Sequence, residues 1–250
     1  MNNALYVGLS RQMTLKREMD VIANNIANSD TVGFKVESLM LREDVQQPVL
    51  KPSAGIQPTE KISFVHDAGV SIDYTQGSLK QTGGTYDLGL HGDGFFQVQT
   101  ANGNRLTRDG RFTLNAQSQL VDMAGNPVLS NGGQPIRIDP TKNAPTISHD
   151  GTISQDGVIA GKVGVFKVDD RAQLDKNEGG LFDPTVNGLT PVSDPKTTIE
   201  QGMIENSNVD AIQQMTRMIA VSRAYEQVSN MMDQTSNTSD ESIQRLGKVN

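Results

Sequence analysis

The sequence predicts a mixed fold: long terminal α-helices pairing into a coiled-coil-like core, weak or disordered in a free monomer, with a central all-β domain on an extended arm. Three patterns predict it. Near the start, apolar residues return at helical spacing from Asn3 to about Asn28. From 85 to about 200, short apolar runs are separated by Asn-Gly and Asp-Gly pairs, the turn chemistry of antiparallel strands. From Asn206 onward, apolar and small residues recur at alternating steps of four and three, which is a heptad spacing.

The first element, within a piece spanning 1–35, carries a stripe of Leu5, Leu15, Met19, Ile22 and Ile26. Gly8 and Gln12 fill its remaining positions, and Leu9 and Ala23 widen it. Asn24, Asn25 and Asn28 weaken a helix, because their amides compete for nearby backbone groups. The helix therefore ends near Asn28, and Val32-Gly33-Phe34-Lys35 reads as a turn into extended chain. The piece 36–82 reads as an extended or loosely β arm, punctuated by Pro48, Pro52 and Pro58, with alternations at Ile62–Val65 and Val70–Tyr74.

The piece 83–200 is the all-β domain. Its candidate strands include Phe95–Gln99, Arg111–Leu114, Gln119–Val121, Ile136–Ile138 and Lys162–Val168, and no helical pattern lies between them. The last piece, 201–250, begins its helix at a capping box, Ser207 to Asp210. Its seam runs through Ala211, Met215, Met218, Ser222, Tyr225, Ser229, Met232, Ser236, Ser239, Ile243 and Leu246, with Val221 and Val228 flanking it. Serines at seam positions bury little apolar area, so the ends should gain stability mainly by association. Leu5, Leu15, Ile22, Ile26, Met215, Met218 and Met232 are expected to be buried together only in an assembled state.

Composition narrows the function classes. The chain of 250 residues is 35% hydrophobic and 4% aromatic, with no Trp, a thin core supply for this length. A net charge of -7 without a basic block argues against nucleic-acid binding. The absence of Cys removes disulfides, thiol nucleophiles and iron–sulfur sites. No stretch has the ~20 apolar residues needed for membrane insertion. Arg11, Lys16, Arg17, Glu18 and Asp20 interrupt the place where a secretory signal would have its apolar core.

No catalytic, cofactor or metal constellation emerges. His66, His91 and His149 are isolated, and the Asp-Gly pairs lack the acceptor series of a calcium loop. Gly89, Gly92 and Gly94 lack the Lys-Ser or Lys-Thr ending of a phosphate loop. Asp169 and Asp170 are adjacent rather than facing across a cleft. No enzyme activity, cofactor or small-molecule substrate is expected.

Four segments then carry a resemblance: DVIANNIAN (Asp20–Asn28) with TVGFK (Thr31–Lys35), LGLHGDGFFQV (Leu88–Val98), TRDGRFTLN (Thr107–Asn115), and QGMIENSNVDAIQQMTRMIAVSRAYE (Gln201–Glu226). Together they resemble the bacterial flagellar rod and hook family, most closely its proximal rod branch, although His91 departs from the small or charged residue expected before Gly-Asp-Gly. The resemblance implies a structural subunit of the basal-body rod, polymerising through its terminal helices into the drive shaft between motor and hook. It implies rod-subunit partners, proximal and distal, and further copies of the chain. It also implies passage through the flagellar type III export apparatus without signal cleavage and residence in the periplasm-spanning rod. The candidate assembly residues are Leu5, Leu15, Met19, Ile22, Asn25, Ile26, Asn28, Gly33, Phe34, Met215, Met218, Ser222, Tyr225 and Met232. Two alternatives remain open on the residues: a distal rod or other axial protein of the same family, and a surface adhesion module with a β recognition domain.

Overall fold

The helical spacing at the two ends produces α1 (Asn2–Ala27) and α2 (Ala211–Gly247). The computed structural model describes residues 2–46, 62–168, 174–176, 178–184, 190–192 and 196–247. Pro48, Pro52, Pro58 and the Asp169-Asp170 pair lie outside them, as do the side chains of Leu5, Ser239, Ile243 and Leu246. The chain divides into two units. Unit one combines Met1–Ala27, Glu37–Asp73 and Asp210–Asn250; unit two combines Asn28–Val36 and Tyr74–Val209.

In unit one, α1 and α2 run antiparallel. Asn25 meets Gln214, Glu18 pairs with Arg217, and Gly8 lies against Met232. Leu15, Ile22 and Val221 form the buried centre, flanked by Met19, Ile26, Met218, Ala224, Tyr225 and Val228. A Cβ on Gly8 would sit 3.0 Å from the Met232 Cγ, so the missing side chain lets the two helices approach there. The extended arm is an antiparallel ribbon of β1 (Glu37–Gln46) and β2 (Ile62–Ile72). A bulge falls between Met40 and Leu41, near Gly69 with φ 111°, and α1 contacts both strands.

Two details of the helical reading change. The cap of α2 is Asp210, whose Oδ1 accepts from the amides of Ile212 and Gln213 at 3.0 and 3.1 Å. Ser207 sits too early for that role and accepts from Val209 instead. The seam is also displaced. Gln214 and Val221 are buried and Met218, Tyr225, Val228, Met232 and Thr235 half-buried, whereas Met215 is 51% exposed. The steps from 214 to 235 still alternate four and three, and they share Met218, Tyr225 and Met232 with the expected seam. A single partner helix covers one narrow arc, and the arc containing the valines buries more apolar area than the arc containing serines. On α1 the same selection leaves Leu9 and Ala23 exposed and buries Thr14, Val21 and Asn25.

Unit two is built from short strands: β3 (Leu79–Gln81), β4 (Leu88–His91), β5 (Phe95–Thr100), β6 (Gly103–Thr107), β7 (Thr113–Leu114), β8 (Leu120–Val121), β9 (Thr146–Ile147), β10 (Thr152–Gln155), β11 (Val158–Lys162), β12 (Val165–Lys167), β13 (Leu174–Lys176), β14 (Phe182–Pro184), β15 (Thr190–Pro191), β16 (Thr198–Gln201) and β17 (Met203–Glu205). The largest sheet has the order β13-β14-β6-β5-β12-β15. β9 to β11 form a meander, while β16 pairs with β4 and β17 with β3. Late strands thus return to early ones, which closes the unit. The core gathers Leu88, Leu90, Phe96, Val98, Leu120, Val128, Ile153 and Ile199, with Phe96 and Phe112 edge-on at 5.2 Å. The Ile136–Ile138 run makes single bridges rather than a strand, through Pro135 and Arg137. Gly110 is required by packing: a Cβ there would overlap the Leu88 carbonyl oxygen, whose own amide bonds back to Gly110.

Candidate assembly site

Asn25 closes the N-terminal helix from within. Its side chain is 1% exposed; Oδ1 accepts from the Glu37 amide at 2.9 Å and Nδ2 donates to the Glu37 carbonyl at 2.7 Å. The amide therefore mimics a neighbouring strand and fixes where β1 starts. Nδ2 also reaches Gln214 Oε1 at 3.4 Å, tying in the first turn of α2. Asn24 donates to the Glu37 carboxylate at 3.1 Å, and Asn28 Oδ1 accepts from the Thr31 hydroxyl at 3.1 Å. All three asparagines are hydrogen-bonded, and Glu37 anchors the first two.

In unit two, Gly33 adopts φ 70° beside the Arg108–Asp109 peptide, and its amide donates to the Glu205 carbonyl at 2.8 Å. A Cβ at Gly33 would lie 2.6 Å from Arg108 C, so both the dihedral and the space demand glycine. Phe34 is buried, with the Lys176 ammonium 3.7 Å from its ring centroid. Lys35 is fully buried and pairs with Glu205 at 2.6 Å; Arg108 pairs with the other carboxylate oxygen at 3.0 Å.

The candidate assembly residues thus separate. Leu15, Met19, Ile22, Ile26, Met218 and Tyr225 pack together within unit one, with Ser222 and Met232 half-buried on the same helix. Leu15 and Ile22 are each only 2% exposed in the single chain, so the expectation that assembly alone buries them does not hold. Their cover is α2 of the same chain. Asn28, Gly33 and Phe34 belong to unit two. Leu5 lies on α1 with its side chain outside the described residues.

The sequence reading missed two features. One is the Lys35–Glu205–Arg108 cluster, whose only signal was charge inside otherwise uncharged or turn-like segments. The other is the division of apolar positions into covered and open faces, although Met215 stood in the expected seam, Leu9 widened the α1 stripe, and Ile212 and Ile219 flank the α2 seam in the sequence. Tyr6, Leu9 and Met13 on α1, and Ile212, Met215 and Ile219 on α2, are all exposed at steps of three and four. Spacing alone cannot tell such a face from the one covered by a partner helix.

Long terminal helices paired in one unit, with the sequence between them folded largely into a separate β unit, define the class: this is a structural subunit of an axial assembly. Among the described residues no group of three His, Cys, Asp or Glu side chains could hold a metal ion, and no helix is long and apolar enough to cross a membrane. Residues 5–35 match the family described as flagella basal body rod protein. Residues 89–155 match the flagellar hook protein FlgE/F/G D1 domain, and 200–245 the flagellar basal body rod FlgEFG protein C-terminal family. The chain is 47% identical over 251 residues to the flagellar basal-body rod protein FlgF of Caulobacter vibrioides, covering 100% of both chains. It is 36% identical to FlgF of Mesorhizobium japonicum, over 99% of each, and 31% identical to the rod protein FlgG of Bacillus subtilis, over 98% of each. The chain belongs to the flagellar basal-body rod and hook family, as a FlgF-like structural rod subunit.

Proposed function

We propose that this subunit polymerises through its helix pair into the periplasm-spanning axial rod and passes torque from motor to hook through many shared helix contacts. The observation that carries this reading is the pair of open apolar faces. Tyr6, Leu9 and Met13 on one helix and Ile212, Met215 and Ile219 on the other leave apolar area in water that neighbouring rod subunits would cover. The neighbours in this reading are other rod proteins, proximal and distal, and further copies of the chain, all reaching the periplasm through the flagellar type III export apparatus. In this reading Asn25 holds α1 against α2 and the start of β1, Asn28, Gly33 and Phe34 support the fold of unit two, and Met215 contacts the neighbour directly.

The test replaces Met215 and Leu9 with Glu together. Both side chains are exposed in the single chain, so the monomer should keep its helical circular dichroism while basal bodies purified from cells lose the subunit and motility fails. Normal incorporation of this double variant would overturn the reading. Met218→Glu is the harsher companion: Met218 lies half-buried against α1, so a charge there should loosen the helix pair as well as block assembly.

A further inference from the structure

Unit two contains three charged side chains that are almost wholly out of water. Lys35 and Glu205 are each 1% exposed and Arg108 is 4% exposed. One carboxylate serves both cations: Lys35 Nζ lies 2.6 Å from Glu205 Oε1, and Arg108 Nη1 lies 3.0 Å from Oε2. The Gly77 amide also donates to Oε1, at 2.9 Å. Beside this centre, Lys35 Nζ donates to the Thr75 carbonyl at 2.7 Å, and Asn208 Nδ2 donates to the same oxygen at 3.1 Å. Asn208 Oδ1 accepts from the Val36 amide at 2.8 Å. Segments 33–36, 75–77 and 205–208 are therefore held in one network. Val36, Tyr74 and Val209 are residues at which unit two begins or ends, so the network gathers three of its chain ends.

We propose that Glu205 is the closing residue of a buried clasp, and that the 28–36 turn docks onto unit two only once this late part of the chain is in place. Lys35 and Arg108 cannot enter the interior as uncompensated cations, because desolvation then outweighs the packing they gain. Before Glu205 arrives, Lys35 stays in water and the Gly33–Val36 backbone has no partner at β17. The apolar core around Phe96, Leu120 and Ile153 does not use these charges. It can form without them, whereas the early turn and the late strand become ordered in one step. The clasp acts as a completion check that couples the two ends of the sequence. The inference rests on unit two alone and stands apart from the rod reading.

The test is hydrogen exchange read by mass spectrometry on the full-length monomer at neutral pH, comparing wild type with Glu205→Gln, Glu205→Asp and the double variant Lys35→Met/Glu205→Gln. Glu205→Gln should speed exchange of segments 31–36, 75–77 and 205–208 together by about tenfold or more, because a buried cation pair loses its anion. Strands β5 and β8 should keep their wild-type rates. Removing Lys35 as well should restore part of the protection, since one uncompensated cation has gone. Unchanged exchange at 31–36 in Glu205→Gln, or equal loosening of β5 and β8, would overturn the clasp. Should Glu205→Gln not fold, Glu205→Asp is read the same way: its carboxylate is one methylene shorter and cannot span both cations. Wild-type rates in that variant overturn the proposal equally.

Discussion

Asn25 gives one hydrogen bond to the Glu37 carbonyl and takes one from its amide, so its replacement strands two backbone groups at the start of β1. Asn25→Ala should cost about 2 kcal/mol, the order expected for stranding part-buried polar groups. Urea unfolding followed by helical circular dichroism measures this, and a loss too small to resolve would contradict the anchor. Gly33→Ala should be at least as damaging, by ~2 kcal/mol or more, because a Cβ meets the Arg108–Asp109 backbone and φ is positive. Asp150 offers a pH-linked test. Hydrogen bonds from the Thr152 hydroxyl and amide, helped by Lys162, hold its carboxyl at about 2, below the ordinary 3.8. A depressed carboxylate contributes stability above its unfolded value and loses it as pH falls through the folded one. Its contribution should therefore be complete above about pH 4 and fade towards pH 2, followed by titrating the Asp150 carboxyl and the Thr152 amide in NMR. These residues differ in legibility. Gly33 and Asn25 stood out by residue type, but the identity of the partner, Glu37 or Arg108, is a tertiary fact.

At the scale of elements, α2 shows why a correct period can carry an incorrect register. From the shared positions Met218, Tyr225 and Met232, a step of three reaches Val221 and Val228, while a step of four reaches Ser222 and Ser229. Both satisfy a heptad. The chain's own α1 selects the valine arc, which moves the helix pair from a serine-lined seam to one centred on Leu15, Ile22 and Val221. Val221→Ala should thus destabilise unit one by about 2 kcal/mol, whereas Ser222→Ala should stay within ~0.5 kcal/mol. Thermal unfolding of the two variants separates the registers; equal losses would restore the serine seam. The β elements were legible through their turns, since Asn-Gly and Asp-Gly pairs specify hairpins locally. The pairing of β16 with β4 and of β17 with β3 was not, because it joins segments more than a hundred residues apart, as in the Thr198–His91 and Glu205–Leu79 pairs.

Across the whole chain, the two helices are unequal partners. α1 has 26 residues and α2 has 37, so at 1.5 Å per residue α2 is about 16 Å longer. Its final turns extend past the length that α1 can cover. A helix of this kind is marginal without lateral cover, since most helical stability comes from packing. In a monomer the C-terminal end of α2 should exchange its amides fast and gain protection on assembly. Circular dichroism and sedimentation across concentration should show helicity and mass rising together. Strong protection of the end of α2 in a verified monomer would count against it.

The sequence by itself determined the helical ends, the β middle and the family, because period, turn chemistry and local motifs are written in neighbouring residues; that β1 and β2 pair into a ribbon is a tertiary fact. Only the tertiary structure decided which arc of α2 meets α1, which apolar faces stay open, and that Lys35, Arg108 and Glu205 share one buried site. Those outcomes depend on segments far apart in the chain arriving at the same place, where the larger apolar area is covered first and each buried charge must find its opposite.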